Sequence, residues 1–115
     1  MNNRIFPSND FEKPNDEEPF RSVVTSSSDA AIIVWHVKKG QSIKPHIHPN
    51  GQDTWTVLSG EGQYIFNESS ERRTIKKGDI VVAHTDEIHG VENFNEEPFV
   101  FVSVVSPADA GYELH

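Results

Sequence analysis

The sequence predicts an all-β fold, either a closed barrel or a two-sheet sandwich. From Phe20 onward, short runs rich in Val, Ile, Thr and aromatic residues succeed one another. Gly, Asn and Ser punctuate them at regular spacing, and no stretch carries an apolar repeat of about 3.6 residues long enough for a helix. β-branched and aromatic side chains favour a pleated, half-buried surface, so these runs read as strands. The candidate strands are 20–25, 31–38, 54–58, 63–66, 72–75, 80–83, 90–93 and 99–105. Turns are expected at Lys39-Gly40, Pro49-Asn50-Gly51, Ser59-Gly60-Glu61-Gly62, 67–71 and Lys77-Gly78-Asp79. Segment 1–19 holds three prolines and the acidic run Asp16-Glu17-Glu18. Proline removes a backbone donor and charge resists burial, so this segment is expected to be an irregular or extended arm. Its Ile5, Phe6 and Phe11 are candidates to pack on the barrel or on a partner subunit, with a loose tail as the alternative. The barrel is assigned to 20–106, and 107–115 to a C-terminal tail forming one turn at most.

Composition narrows the function classes. A chain of 115 residues makes one domain with a single core. It contains no cysteine, which excludes disulfides, zinc fingers and thiol nucleophiles and suits a reducing compartment. The formal net charge of −8 repels phosphate backbones and anionic lipid, so neither nucleic acid nor membrane is an expected partner. The longest apolar runs, 30–35 and 80–83, are far too short to span a bilayer, and Arg4 is not followed by the apolar core of a signal peptide. The expected location is the cytoplasm. Neither a G-x-S-x-G elbow nor a phosphate-cradling glycine loop occurs.

The chemistry gathers around the histidines. In His46-Ile47-His48, residues two apart on a strand point the same way, so two imidazoles project side by side. Neutral imidazole binds many first-row divalent ions. Asp53 follows after four residues, a hard oxygen donor, and the amide of neighbouring Gln52 is an alternative. Alternation puts Asp53, Trp55 and Val57 on one face. If that face is the inner one, Asp53 is a buried carboxylate that requires a partner. His89 stands much further on, before Gly90 and a run ending at Asn93.

These residues resemble the two motifs of the cupin family. GQSIKPHIHPNGQDTWTVLSG runs from Gly40 to Gly60 and matches the first motif, with Asp53 where the family has Glu. GDIVVAHTDEIHGVEN matches the second at Gly78, His89 and Asn93, with His84 in place of proline and Asp86 in place of glycine. The resemblance spans about 32–105. It implies a double-stranded β-helix, the jelly-roll barrel, holding one divalent transition metal ion (Fe, Mn, Ni or Zn). His46, His48 and His89 would be ligands, with Asp53 as the fourth; Asn93 would lie near the site without binding the ion. Family members are often dimers, so a homodimer is expected. Asp is one methylene shorter than Glu, which leaves three arrangements open: Asp53 ligates, Gln52 replaces it through a one-residue bulge, or three histidines act with water.

The activity expected from this set is metal-dependent chemistry on a small organic molecule, with a lean toward a dioxygenase-type oxidoreductase and His84 as candidate general base. An isomerase or decarboxylase is the alternative within enzymes. A non-catalytic module for a sugar, a hormone-like acid or the metal is the alternative outside them.

Overall fold

A computed structural model describes residues 4–69 and 71–115. Strands β1 (Ser22–Ser26), β2 (Ala31–Val37), β3 (Ser42–Ile47), β4 (Gln52–Ser59), β5 (Glu61–Ile65), β6 (Arg72–Lys76), β7 (Ile80–Ala83), β8 (His89–Glu92), β9 (Phe99–Ser106) and β10 (Glu113–Leu114) make up the fold. They form two antiparallel sheets, in the orders β1-β2-β9-β4-β7 and β10-β3-β8-β5-β6. This is the jelly-roll barrel expected from the sequence.

Alternation builds the interior. On β4, Asp53, Trp55 and Val57 are all buried while the residues between them are not. Opposite them on β9, Val57 pairs with Phe101, Trp55 with Ser103 and Asp53 with Val105. Val37, Val57, Ile75, Val91, Phe99 and Phe101 pack into one dense apolar cluster with Trp55 and Tyr64. Trp55 stacks on Phe101 at a centroid distance of 4.1 Å and meets Tyr64 edge-on at 5.3 Å. Toward the other end of the same strands Asp53 and Ser103 bring polar groups inward, beside a second, smaller apolar cluster of Ala31, Ile33, Val105 and Ala110.

Close approach requires glycine at several positions, Gly60 and Gly90 among them. A Cβ on Gly60 would lie 2.1 Å from the carbonyl oxygen of Pro98, and its φ of +76° lies in the left-handed region. A Cβ on Gly90 would lie 2.8 Å from the carbonyl of Ile43, at the point where β3 presses against β8.

The two chain ends differ from expectation in extent. Among the described residues, 4–21 are irregular apart from one 3₁₀ turn at Ser8–Phe11. This segment is tied to the barrel by Gln41 Nε2 donating to the Asn15 carbonyl at 2.6 Å and by a 2.6 Å ion pair between Lys38 and Asp16. Ile5 is 91% exposed, so it does not pack on the barrel. The C-terminal segment does more than turn: β10 pairs with β3, and His115 N donates to the Pro45 carbonyl at 2.9 Å. β3 begins at Ser42, ahead of the His46–His48 ribbon expected from the sequence, and runs through Lys44-Pro45. The register shift between Ile43 and His46 absorbs that proline as a bulge.

Candidate metal centre

His46 and His89 are direct partners across β3 and β8, so their side chains leave the second sheet on the same face. Their ring centroids lie 4.1 Å apart. His48, two residues beyond His46, turns inward as well and lies 5.1 Å from both rings. Asp53 comes from β4 in the first sheet and closes the group from across the barrel. All four side chains are buried, and their ligating atoms lie within 4.8 Å of one another.

Hydrogen bonds fix which nitrogen of each ring is bare. Nδ1 of His46 donates to the Lys44 carbonyl at 2.7 Å, that of His48 to the Gly111 carbonyl at 2.7 Å, and that of His89 to the Glu87 carbonyl at 3.1 Å. A carbonyl can only accept, so each Nδ1 carries the proton and each neutral ring turns the lone pair of Nε2 toward the centre. Asp53 Oδ2 stands 3.1 Å from Nε2 of His89 and 3.4 Å from Nε2 of His48. Asp53 Oδ1 accepts the hydroxyl of Ser103 in a close contact. Buried lone pairs that face one another repel, and only a cation between them reverses the sign. His48 Nε2 is buried without a hydrogen-bond partner.

Titration behaviour separates the rings. Burial pushes His46 down to about 4, and the neighbouring His89 adds to the shift. Burial opposes charge on His48 too, but the Asp53 carboxylate and the Gly111 carbonyl outweigh it and move His48 up. For Asp53 burial again opposes charge, yet the His48 and His89 rings when protonated, together with the Ser103 hydroxyl, hold the carboxyl well below its usual range. A carboxylate that stays ionised when buried and imidazoles with Nε2 free form a donor set suited to one divalent transition ion. Bonds of about 2.0–2.2 Å put opposite ligands roughly 4.2 Å apart, close to the present spread. The residues therefore fit the ion that the sequence led us to expect.

Two residues singled out from the sequence lie outside the cluster. Gln52 is exposed and precedes inward-facing Asp53 on β4; β4 keeps regular register there, so no bulge exchanges the two. His84 is 69% exposed at its side chain, and its Nδ1 pairs with Glu87 at 2.9 Å. It is not among the residues that line the cavity beside the cluster, so the structure does not place the candidate general base at the metal centre. The sequence around His84 still matters for shape. Asp86, in the glycine position of the second motif, adopts φ +67°, a conformation that Asp tolerates better than most residues. Its amide donates to the His48 carbonyl at 3.1 Å. Asn93 is fully buried but sits at the far end of β8 from His89, roughly 13 Å along an extended chain. Its amide clamps the carbonyls of Val37 and Glu97, so it serves the loop and not the metal centre.

Three contributors escaped the sequence reading. Ser103 is a small hydroxyl at an inward position of an otherwise apolar strand, a signal alternation could have given. Gly111 acts through its carbonyl, which leaves no trace in side-chain pattern. Tyr112 covers His46 at a centroid distance of 4.9 Å. Beside the cluster opens a cavity of about 520 Å³, within the range of small-ligand sites.

The sequence profile of the Cupin domain family matches residues 33–105. The chain belongs to the cupin family. This cupin is 30% identical to the pectin degradation protein KdgF of Dickeya dadantii over 80% of its own length and 81% of the relative's. It superposes on a Klebsiella pneumoniae protein described only as uncharacterized, with a double-stranded β-helix domain, at a TM-score of 0.94 and 45% identity, covering 98% of this chain and 97% of the other. It also superposes on a predicted oxalate decarboxylase from Thermotoga maritima at a TM-score of 0.63 and 25% identity, covering 67% of this cupin and 65% of that chain. No helix among the described residues is long and apolar enough to cross a membrane.

Proposed function

We propose that this cupin is a metal-dependent enzyme acting on a small organic molecule, by isomerase- or lyase-type chemistry that needs no external oxidant. The observation that carries the proposal is the buried set of His46, His48, His89 and Asp53 opening onto a cavity of small-molecule size. A divalent ion held there supplies Lewis-acid polarisation of a substrate oxygen. The chain supplies the rest. The carbonyls of Lys44, Gly111 and Glu87 hold the imidazoles in one tautomer, Ser103 orients Asp53, and Trp55 and Tyr112 limit access of water. The names of the relatives favour this reading over the dioxygenase lean: pectin degradation and oxalate decarboxylation are bond-cleaving or rearranging processes.

A binding module is the second reading. It is favoured by one observation: His84, the expected general base, faces solvent. Protein loaded with Mn(II), Ni(II), Zn(II) or Fe(II) would be screened against sugar acids, hydroxy acids and keto acids, with product analysis and oxygen electrode run together. Turnover without oxygen uptake is expected. Oxygen consumed in step with product would restore the dioxygenase. Saturable binding without turnover across the panel would leave the module.

A further inference from the structure

We infer that the cavity selects a small organic anion whose carboxylate pairs with Arg21, away from the metal ligands. The inference rests on the metal-dependent reading above and names the substrate class for that site.

Arg21 lines the cavity together with Ile33, Trp35 and Val105. It immediately precedes β1, whose Ser22 pairs with Val34 of β2. Ser22 and Val34 are buried on the outer face, so alternation places Arg21 beside Trp35, on the cavity side. Three other basic side chains are paired with carboxylates: Lys38 with Asp16, Lys39 with Glu96, and Arg72 with Glu92. Arg21 has no ion pair or hydrogen bond among the described residues. What sets Arg21 apart is its place: it is the one Lys or Arg side chain among the residues that line this cavity. Its planar fork of donors matches a carboxylate in two parallel hydrogen bonds.

A second observation comes from another strand of the same sheet, β4. Trp55 lines the same cavity, and its indole N–H is buried without an acceptor. Unpaired buried donors are uncommon, because each forfeits a hydrogen bond that water would have given. An oxygen-bearing ligand supplies that acceptor. Between the two polar points the wall is apolar, formed by Ile33, Trp35 and Val105. The ligand that satisfies all three features has an oxygen function toward the cluster, a compact apolar or planar body, and a carboxylate at Arg21. A divalent ion outweighs the single charge of Asp53, so the cluster does not repel such an anion.

Phenylacetate and phenylacetamide share one shape and differ in charge, and they serve as the probe pair. Calorimetric titration of zinc-loaded and zinc-free protein would be run on the wild type, Arg21→Gln and Arg21→Lys, with zinc stoichiometry measured in each. The wild type is expected to prefer the carboxylate by roughly tenfold, a value moderated by the exposure of Arg21. The preference should persist without zinc, vanish in Arg21→Gln and survive in part in Arg21→Lys. A preference unchanged in Arg21→Gln, one lost on zinc removal alone, or a wild type that binds neither probe or both equally would overturn the inference. All of these outcomes leave the metal-dependent reading standing, provided the protein still takes up one zinc per chain. Failure to bind zinc would sink that reading separately.

Discussion

The two ends of the barrel are built by the same strands and the same alternation, yet they do different work. On β4 the inward file runs Val57, Trp55, Asp53, and on β9 it runs Phe99, Phe101, Ser103. On β8 it runs Val91 and then His89. At the first end these side chains interlock into a solid core. At the second they hold polar atoms around a common centre beside an open cavity. The comparison teaches that the larger apolar cluster lies apart from the chemical end, which keeps only a smaller one of its own. Stability resides where the aromatic rings fill space, and the polar end is supported by strands anchored elsewhere.

The largest expected effect breaks the filled end. Phe101 is fully buried and stacked on Trp55, so Phe101→Ala should cost about 3–5 kcal/mol, read as a lower midpoint in urea unfolding. His48→Ala should act in the opposite way. Zinc affinity should fall by at least about 100-fold, while metal-free stability measured by the same urea titration stays within about 1 kcal/mol. An unfolded His48→Ala protein would show that the two ends are not independent. Asp53→Glu tests the departure from the family motif: the added methylene should preserve zinc binding, whereas Asp53→Ala should weaken it about as much as His48→Ala.

Much of this division was legible in the sequence, for a physical reason. Side chains with a period of two announce their face, so Asp53 in line with Trp55 and Val57 already pointed inward. The histidines carried their spacing with them. The parts that stayed hidden do not act through side-chain pattern. Gly111 contributes a carbonyl. β10 is only two residues long and follows a stretch of Pro, Ala, Asp and Gly that reads as loop. Pro45 concealed where β3 begins, since a proline speaks against a central strand until a bulge makes room for it. For His84, motif position gives proximity along the chain and not the direction of a side chain just past a strand end.

A smaller effect concerns the tail. Removing residues 107–115 takes away the Gly111 carbonyl that orients His48 and the ring of Tyr112 over His46. Zinc affinity should fall about 10- to 100-fold, the usual consequence of losing a partner that orients a ligand, with the strand signal in circular dichroism retained. Loss of the barrel itself would show that β10 is structural.

The mildest perturbation is pH. The folded pKa of His48 is raised above 6.5, so its charged form stabilises the metal-free fold below that value, and this contribution is lost as pH rises through the folded pKa. His46 is pushed down to about 4, so it costs stability as pH falls from 6.5 toward 4. Metal requires both rings neutral. Zinc affinity should therefore rise as pH climbs past the His48 transition and fall steadily toward pH 5. Affinity constant across that interval would remove His48 from the ligand set.

The bond from His48 to Gly111 also couples the last residues to the ion thermodynamically. If a docked tail favours coordination by some factor, coordination must favour docking by the same factor. Amide hydrogen exchange at 112–115 then becomes a remote gauge of the ion: protection there should increase with metal concentration, without any direct contact between those amides and the metal.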